Sequence, residues 1–206
     1  MRFFIISFIF LFHIFPINGQ IQYNWQNSTE GWVSGGNCNL TAQPDAMAMR
    51  LFSSNAVMRS GNLQANLGIN GGDYNQVQVM IKNPTSGSAV ARLFLYPPGT
   101  NTAACYYAFQ VGTAMTGFST YTISLDSLPS GGSSTVYTGP IARFGLRAPW
   151  GGVNFDTIYW KQMIVSNTNQ VTDSANITFK VDMSQVSDPF STPELNGCLL
   201  YTSDAA

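Results

Sequence analysis

The chain has 206 residues, with nine Lys and Arg against ten Asp and Glu, a formal net charge of −1, and only 9% charged residues. That balance leaves no electrostatic footprint for nucleic acid and no polybasic run for anionic lipid. The one histidine, His13, falls in an export leader, so the exported chain holds none, which excludes histidine triads, histidine general bases and most zinc sites.

In chain order, "MRFFIISFIFLFHIFPINGQ" (1–20) reads as a signal peptide. Arg2 supplies a positive start, Phe3 to Phe15 an apolar stretch, and Pro16 to Gly19 a polar end suited to cleavage near Gly19 or Gln20. The apolar run falls short of the roughly 20 residues that span a bilayer. The expected product is secreted or displayed at the cell surface, with no membrane insertion after cleavage.

From 21 to 166 the pattern is strand, turn, strand. The alternation in "QVQVMIKN" puts Val77, Val79 and Ile81 on one face, and "ARLFLY" sets Leu93 and Leu95 against Arg92, Phe94 and Tyr96. "CYYAFQV" sets Tyr107, Phe109 and Val111 against Tyr106 and Gln110; "YTISL" groups Tyr121, Ile123 and Leu125. "ARFGLR" sets Phe144 and Leu146 against Arg143 and Arg147. Further strands are expected at "IQYNW", "CNLTAQ", "AMAMRLF", "AVMRS" and "FDTIYWKQMIV". The separators, including "NSTEG", "SGG", "NGGD", "YPPGTNT" and "LPSGGSS", carry turn chemistry. No window keeps a helical period. The expected fold is all-β: a two-sheet antiparallel β-sandwich (jelly roll) of nine or ten strands, with a closed barrel as the alternative.

The residues after Val165, "SNTNQVTDSAN", read as a linker (167–176). "ITFKVDM" then opens a second β-sandwich module, present only as a fragment (177–197) too short to bury a core. Residues 198–206, "CLLYTSDAA", match an in-frame reading of a transposon-end sequencing adapter, so the natural protein is expected to continue past Gly197. Cys198 therefore leaves the cysteine count. Cys38 and Cys105 remain, both in strand-like segments of an exported chain; a disulfide between them is expected, with two buried thiols as the alternative.

Several of these stretches resemble known families. "WQNSTEGW" (25–32), "VQVMIKN" (77–83), "YTISL" (121–125) and "FDTI" (155–158), in that order, resemble the galactose-binding-like jelly-roll modules attached to bacterial polysaccharide-degrading enzymes. "ITFKVDMSQVSDPFSTPELNG" (177–197) resembles the start of a starch-binding-like module of secreted Bacteroidota proteins. The resemblance implies a non-catalytic carbohydrate-binding module that targets a secreted multidomain protein to a polysaccharide or oligosaccharide. It also implies that an Asp at the start of the last strand, here Asp156, helps hold a structural calcium with an acid near the first strand. The first-strand position is the neutral Gln26, which weakens such a site and leaves Glu30 and Asp45 as partners. No other cofactor is expected, and the chain is read as monomeric.

Sugar recognition combines aromatic faces with planar polar groups on one rigid surface. If the apolar members of the alternations face the core, their neighbours share the opposite side. The expected carbohydrate-binding residues are Arg92, Phe94, Tyr96, Tyr106, Gln110, Arg143 and Arg147, with Trp150 of "RAPWGG" closing one end and Gln78 and Lys82 on the same surface. The bland alternative packs Phe94 and Tyr96 under a loop and leaves the arginines solvated. Trp25, Trp32 and Trp160 are assigned to structure. Asn27, Asn39 and Asn176 head Asn-x-Ser/Thr triplets, and "DSA" around Ser174 resembles the Bacteroidota O-glycosylation signal.

Two other functions compete. A glycoside hydrolase or lyase needs carboxylates paired across a cleft, yet Glu30, Asp45, Asp73, Asp126 and Asp156 sit mostly at turns and strand ends. A structural or adhesive surface module would bind protein through an exposed apolar patch.

Overall fold

The computed structural model describes residues 19–150 and 154–168. The expected leader up to residue 18, and the expected linker beyond Thr168, second-module fragment and adapter-like tail, lie outside the described residues, as do Ser174, Asn176 and Cys198.

The described residues form thirteen strands, in order β1 Ile21–Asn24, β2 Val33–Gly36, β3 Cys38–Ala42, β4 Met47–Leu51, β5 Val57–Arg59, β6 Ile69–Asn70, β7 Gln76–Lys82, β8 Val90–Tyr96, β9 Cys105–Gln110, β10 Ser119–Ser124, β11 Pro140–Ile141, β12 Arg143–Arg147 and β13 Thr157–Ser166. The described helical structure is one 3₁₀ turn at Gly71–Asp73, within the expected "NGGD" turn, where Asp73 accepts a hydrogen bond from the Asn70 N–H at 3.0 Å.

All pairings are antiparallel. The first sheet runs β10-β7-β13-β4-β3 and the second β2-β5-β12-β8-β9, with β6 and β11 forming a small separate pair. The fold is an antiparallel β-sandwich of the jelly-roll kind. Strand β13 organises the first sheet: β7 pairs along one edge, while β4 and β1 divide the other. A register shift between Trp160 and Gln162 accompanies that division, where the Trp25 N–H donates to the Lys161 carbonyl at 3.1 Å.

The core follows from the alternation. Val77, Val79, Ile81, Ile158, Met163 and Val165 of the first sheet are fully buried, as are Met58, Leu93, Leu95, Phe144 and Leu146 of the second. Each such side chain contributes about 1.5–3 kcal/mol by leaving water. Trp25, Trp32 and Trp160 are buried in this core, in the structural role expected of them. Trp25 and Trp32 meet edge to face at 5.0 Å between ring centroids, a favoured aromatic geometry.

Two expectations need correction. "SGG" is not a separator: it closes β2, which pairs with β5 through a shift between Ser34 and Gly36. A Cβ on Gly35 would stand 3.0 Å from the Val57 carbonyl oxygen and 3.1 Å from Arg59 Cγ, so the glycine serves close strand packing rather than a turn.

Cys38 and Cys105 are not joined; both are free, buried thiols. Cys38 lies on β3, at one edge of the first sheet and beside β2 and β5. Cys105 lies on β9, at the other lateral edge of the sandwich and beside β10. The width of the sandwich separates them. The Cys38 thiol donates to the Val57 carbonyl at 3.3 Å.

Candidate functional site

The outer face of the second sheet is built by register. Its central row runs Arg59 on β5, Gly145 on β12, Phe94 on β8 and Tyr106 on β9, each opposite the next. One row on, Val57, Arg147, Arg92 and Ala108 stand opposite one another in the same sense. On the other side of the central row, Arg143 faces Tyr96. Because side chains alternate across a strand, everything in these rows projects away from the core.

The aromatic rings form a connected set. Phe94 lies 5.6 Å from Tyr106 and 6.1 Å from Tyr96 between centroids. The guanidinium carbons of Arg59 and Arg143 sit 5.1 and 5.3 Å from the Tyr96 centroid, and that of Arg92 sits 4.6 Å from the Tyr106 centroid. Tyr96 is only 4% exposed, so it forms the floor of the surface and not a stacking platform. Its position depends on Gly145, where a Cβ would stand 2.6 Å from Tyr96 Cε2.

Phe94 and Tyr106 are half-buried and open the aromatic set to solvent. The loop after β10 settles onto the free edge of β9. The Tyr106 N–H donates to the Gly131 carbonyl at 3.0 Å and the Ala108 N–H to Ser130 Oγ at 2.8 Å. A Cβ on Gly131 would reach within 2.6 Å of the Tyr106 ring, so this loop also fixes the tyrosine in place.

The arginines carry an unusual electrostatic load. No strand of this sheet bears an Asp or Glu. Among the described residues none of Arg59, Arg92, Arg143 and Arg147 is paired with a carboxylate, and the Nε of each is buried without a hydrogen-bond partner. Arg143 is 1% exposed; its terminal nitrogens donate to the Thr100 carbonyl and, at 3.2 Å, to Asn101 Oδ1, tying down the β8–β9 loop. Burial lowers the pKa of both Arg143 and Arg147, and a neighbouring cation lowers each further: Arg59 beside Arg143, and Arg92 beside Arg147. The tyrosines oppose that shift, Tyr96 at Arg143 and Tyr106 at Arg147.

The expected site residues thus divide. Arg92, Phe94, Tyr96, Tyr106, Arg143 and Arg147 come together. Gln110 is exposed opposite Val90 at the end of β9, past the aromatic set. Trp150 is half-buried against the core, and its carbonyl accepts the Ser88 N–H at 3.0 Å. Gln78 and Lys82 belong elsewhere: they lie on β7, in the first sheet, so they project from the opposite side of the sandwich. Alternation assigned them a face correctly, but it does not say which sheet a strand joins. Arg59 was missed for the same reason. The strand "AVMRS" is legible, yet nothing local places it beside β12.

The first sheet carries its own groove of about 280 Å³, lined by Gln43, Asp45, Lys82, Phe118 and Tyr159 among others, with Lys82 Nζ 4.4 Å from the Tyr159 centroid.

Among the described residues no three His, Cys, Asp or Glu side chains converge. Glu30 Oε2 accepts the Asn24 N–H at 2.8 Å, and Asn24 pairs with Gln162, whereas Asp156 precedes Thr157 at the far end of β13. Glu30, held at Asn24 opposite Gln162, thus stands some six residues along β13 from Asp156.

Neither a protein-family model nor a curated protein matches the sequence. Among solved structures, the chain is similar to CBM86, described as a low affinity xylan binding module, from Roseburia intestinalis (13% identity, 72% of this chain and 95% of that one, TM-score 0.46). It is also similar to the family 11 carbohydrate-binding module of the cellulase Lic26A-Cel5E of Clostridium thermocellum (8%, 72% and 95%, TM-score 0.46). A third is CsCBM6-3 from Clostridium stercorarium, solved with cellobiose (12%, 73% and 94%, TM-score 0.41). At these identities and TM-scores the likeness says nothing of what this surface binds.

No described helix is long and apolar enough to cross a membrane.

Proposed function

We propose that residues 21–166 form a non-catalytic carbohydrate-binding module, with its site on the outer face of the β2-β5-β12-β8-β9 sheet. The observation that carries this reading is the joined set of Phe94, Tyr96 and Tyr106, with Arg59 over Tyr96 and Arg92 over Tyr106, all on one hydrogen-bonded sheet. The rings offer flat apolar faces to the C–H side of a sugar, and the guanidinium forks offer donors in fixed directions to its oxygens. Rigid strands hold both, so little freedom is lost on binding. A hydrolytic role lacks its carboxylates, since this sheet has no acid on its strands.

In this reading the module belongs to an exported multidomain protein of Bacteroidota type, delivered by the leader. The linker and the second sandwich follow it, and it keeps an appended activity close to its polysaccharide.

Affinity electrophoresis through gels containing a panel of polysaccharides tests the proposal. The full chain is expected to be retarded by at least one of them. Phe94→Ala and Tyr106→Ala should each weaken that retardation about tenfold, equivalent to about 1.4 kcal/mol, with the fold intact by circular dichroism. Migration unaffected by every polysaccharide would refute the module reading. Full retention by both variants would move the site to the Gln43–Lys82–Tyr159 groove of the other sheet.

A further inference from the structure

The charge of the ligand is written in the arginines. Arg92 and Arg147 are directly opposed cross-strand partners, an arrangement in which like charges destabilise a sheet. Arg59 and Arg143 form a second like-charged couple, both over the Tyr96 ring. Four of the nine Lys and Arg in the whole sequence thus gather on one face of a chain whose net charge is −1, with no carboxylate on the sheet's strands.

A neutral sugar needs donors, but it does not need four permanent cations at this cost. The Nε of each guanidinium is buried without a protein acceptor, so no neighbouring oxygen offsets the positive charge there; Arg59, Arg92 and Arg147 are half-buried, and an anion would meet their outer guanidinium nitrogens. Arg143, nearly fully buried, spends its terminal nitrogens on the β8–β9 loop, so it sets the local field and leaves Arg59, Arg92 and Arg147 to meet a ligand. Arg59 lies opposite Gly145, two residues before Arg147, so the two arginines are offset by roughly 7 Å along the strands.

Resting on the carbohydrate-binding reading, we propose that this face is selective for an acidic polysaccharide. One anionic substituent, a carboxylate or a sulfate ester, seats between Arg92 and Arg147; the next lies at Arg59, with the sugar rings against Phe94 and Tyr106. Binding neutralises the two like-charged couples, so the ligand supplies the counter-charge the fold leaves out. The carboxylate and the sulfate ester share this chemistry and differ in source.

The full chain is run through gels containing polygalacturonate, a sulfated galactan, xylan or a neutral β-glucan, at low and high salt. At least one acidic matrix is expected to retain it tenfold or more over both neutral ones, and the acidic arm that does so identifies the substituent. Retention should fall steeply with salt, a readout on the unaltered chain that no folding defect can mimic. Arg92→Gln and Arg147→Gln should each lose about tenfold. Arg50→Gln, which removes a cation from β4 on the other sheet, should lose nothing.

Equal retention on neutral and acidic matrices, untouched by the Arg92 and Arg147 changes, would overturn the selectivity and leave carbohydrate binding standing. Acidic retention weakened as much by Arg50→Gln as by Arg147→Gln would overturn it as a diffuse charge effect. Passage through all four matrices without retention would overturn both readings together.

Discussion

At the scale of single residues, the two thiols show how burial sets chemistry. Cys105 is 1% exposed on β9, and burial pushes its thiol up to about 11 from an ordinary 9.0. Tyr107, whose O–H donates to the Leu125 carbonyl at 3.2 Å, is pushed up to about 12, by burial first and then by the Cys105 and Asp126 charges. Both groups keep their protons in the folded chain after the unfolded chain has released them. Their contribution to stability is therefore complete below about pH 9 and is lost as pH rises through about 11 and 12. Thermal melts are expected to hold steady from pH 7 to 8 and to drop at pH 10.5; a flat profile would show that these groups are solvated. Cys38 and Cys105 should resist alkylation in the native chain and be alkylated in denaturant without prior reduction. A requirement for reductant would show that they pair after all.

At the scale of elements, the β12–β8 pair concentrates both the packing and the strain. Gly145→Ala would drive a methyl into Tyr96, which is buried in contact with two guanidinium groups, and overpacking of this kind costs about 1–3 kcal/mol. Urea titration should show that loss, together with weaker polysaccharide retention. Arg147→Gln is expected to act in the opposite sense. It removes one of two facing like charges, so the ligand-free variant should be as stable as the parent or more so, by up to about 1 kcal/mol, while binding falls. A clear drop in stability on that change would mean that the packing of the Arg147 side chain outweighs its repulsion with Arg92. Alternation within each strand assigned Phe94, Tyr106, Arg92 and Arg147 to outward faces, because side chains reverse at every residue and the core claims one set; the pairing of β12, β8 and β9 is what brings them together. The same rule misled for Gln78 and Lys82, whose strand lies in the other sheet.

At the scale of the whole molecule, one core is shared by both sheets, from Trp25 and Trp160 to Phe144 and Leu95. A fragment spanning 19–168 is expected to unfold in a single cooperative transition by both fluorescence and circular dichroism. Leu93→Ala, which hollows the centre of that core, should lower its stability by about 2–5 kcal/mol. Separate transitions for the two probes would mean that the sheets are less coupled than their shared core indicates.

The sequence by itself determined the strand class, the apolar face of each main strand, the lack of histidine beyond His13 and the outward assignment of Arg92, Phe94, Tyr106 and Arg147 on their own strands. These are local properties: period-two burial and residue chemistry need no knowledge of partners. Only the tertiary structure decided which strands are neighbours. It brought Arg59 beside β12, sent Lys82 to the far side, parted Cys38 from Cys105 by the width of the sandwich, and buried Tyr96 as a floor. Strand order depends on pairings between segments distant in the chain, chosen by how the whole core closes, and no single stretch of sequence carries that information.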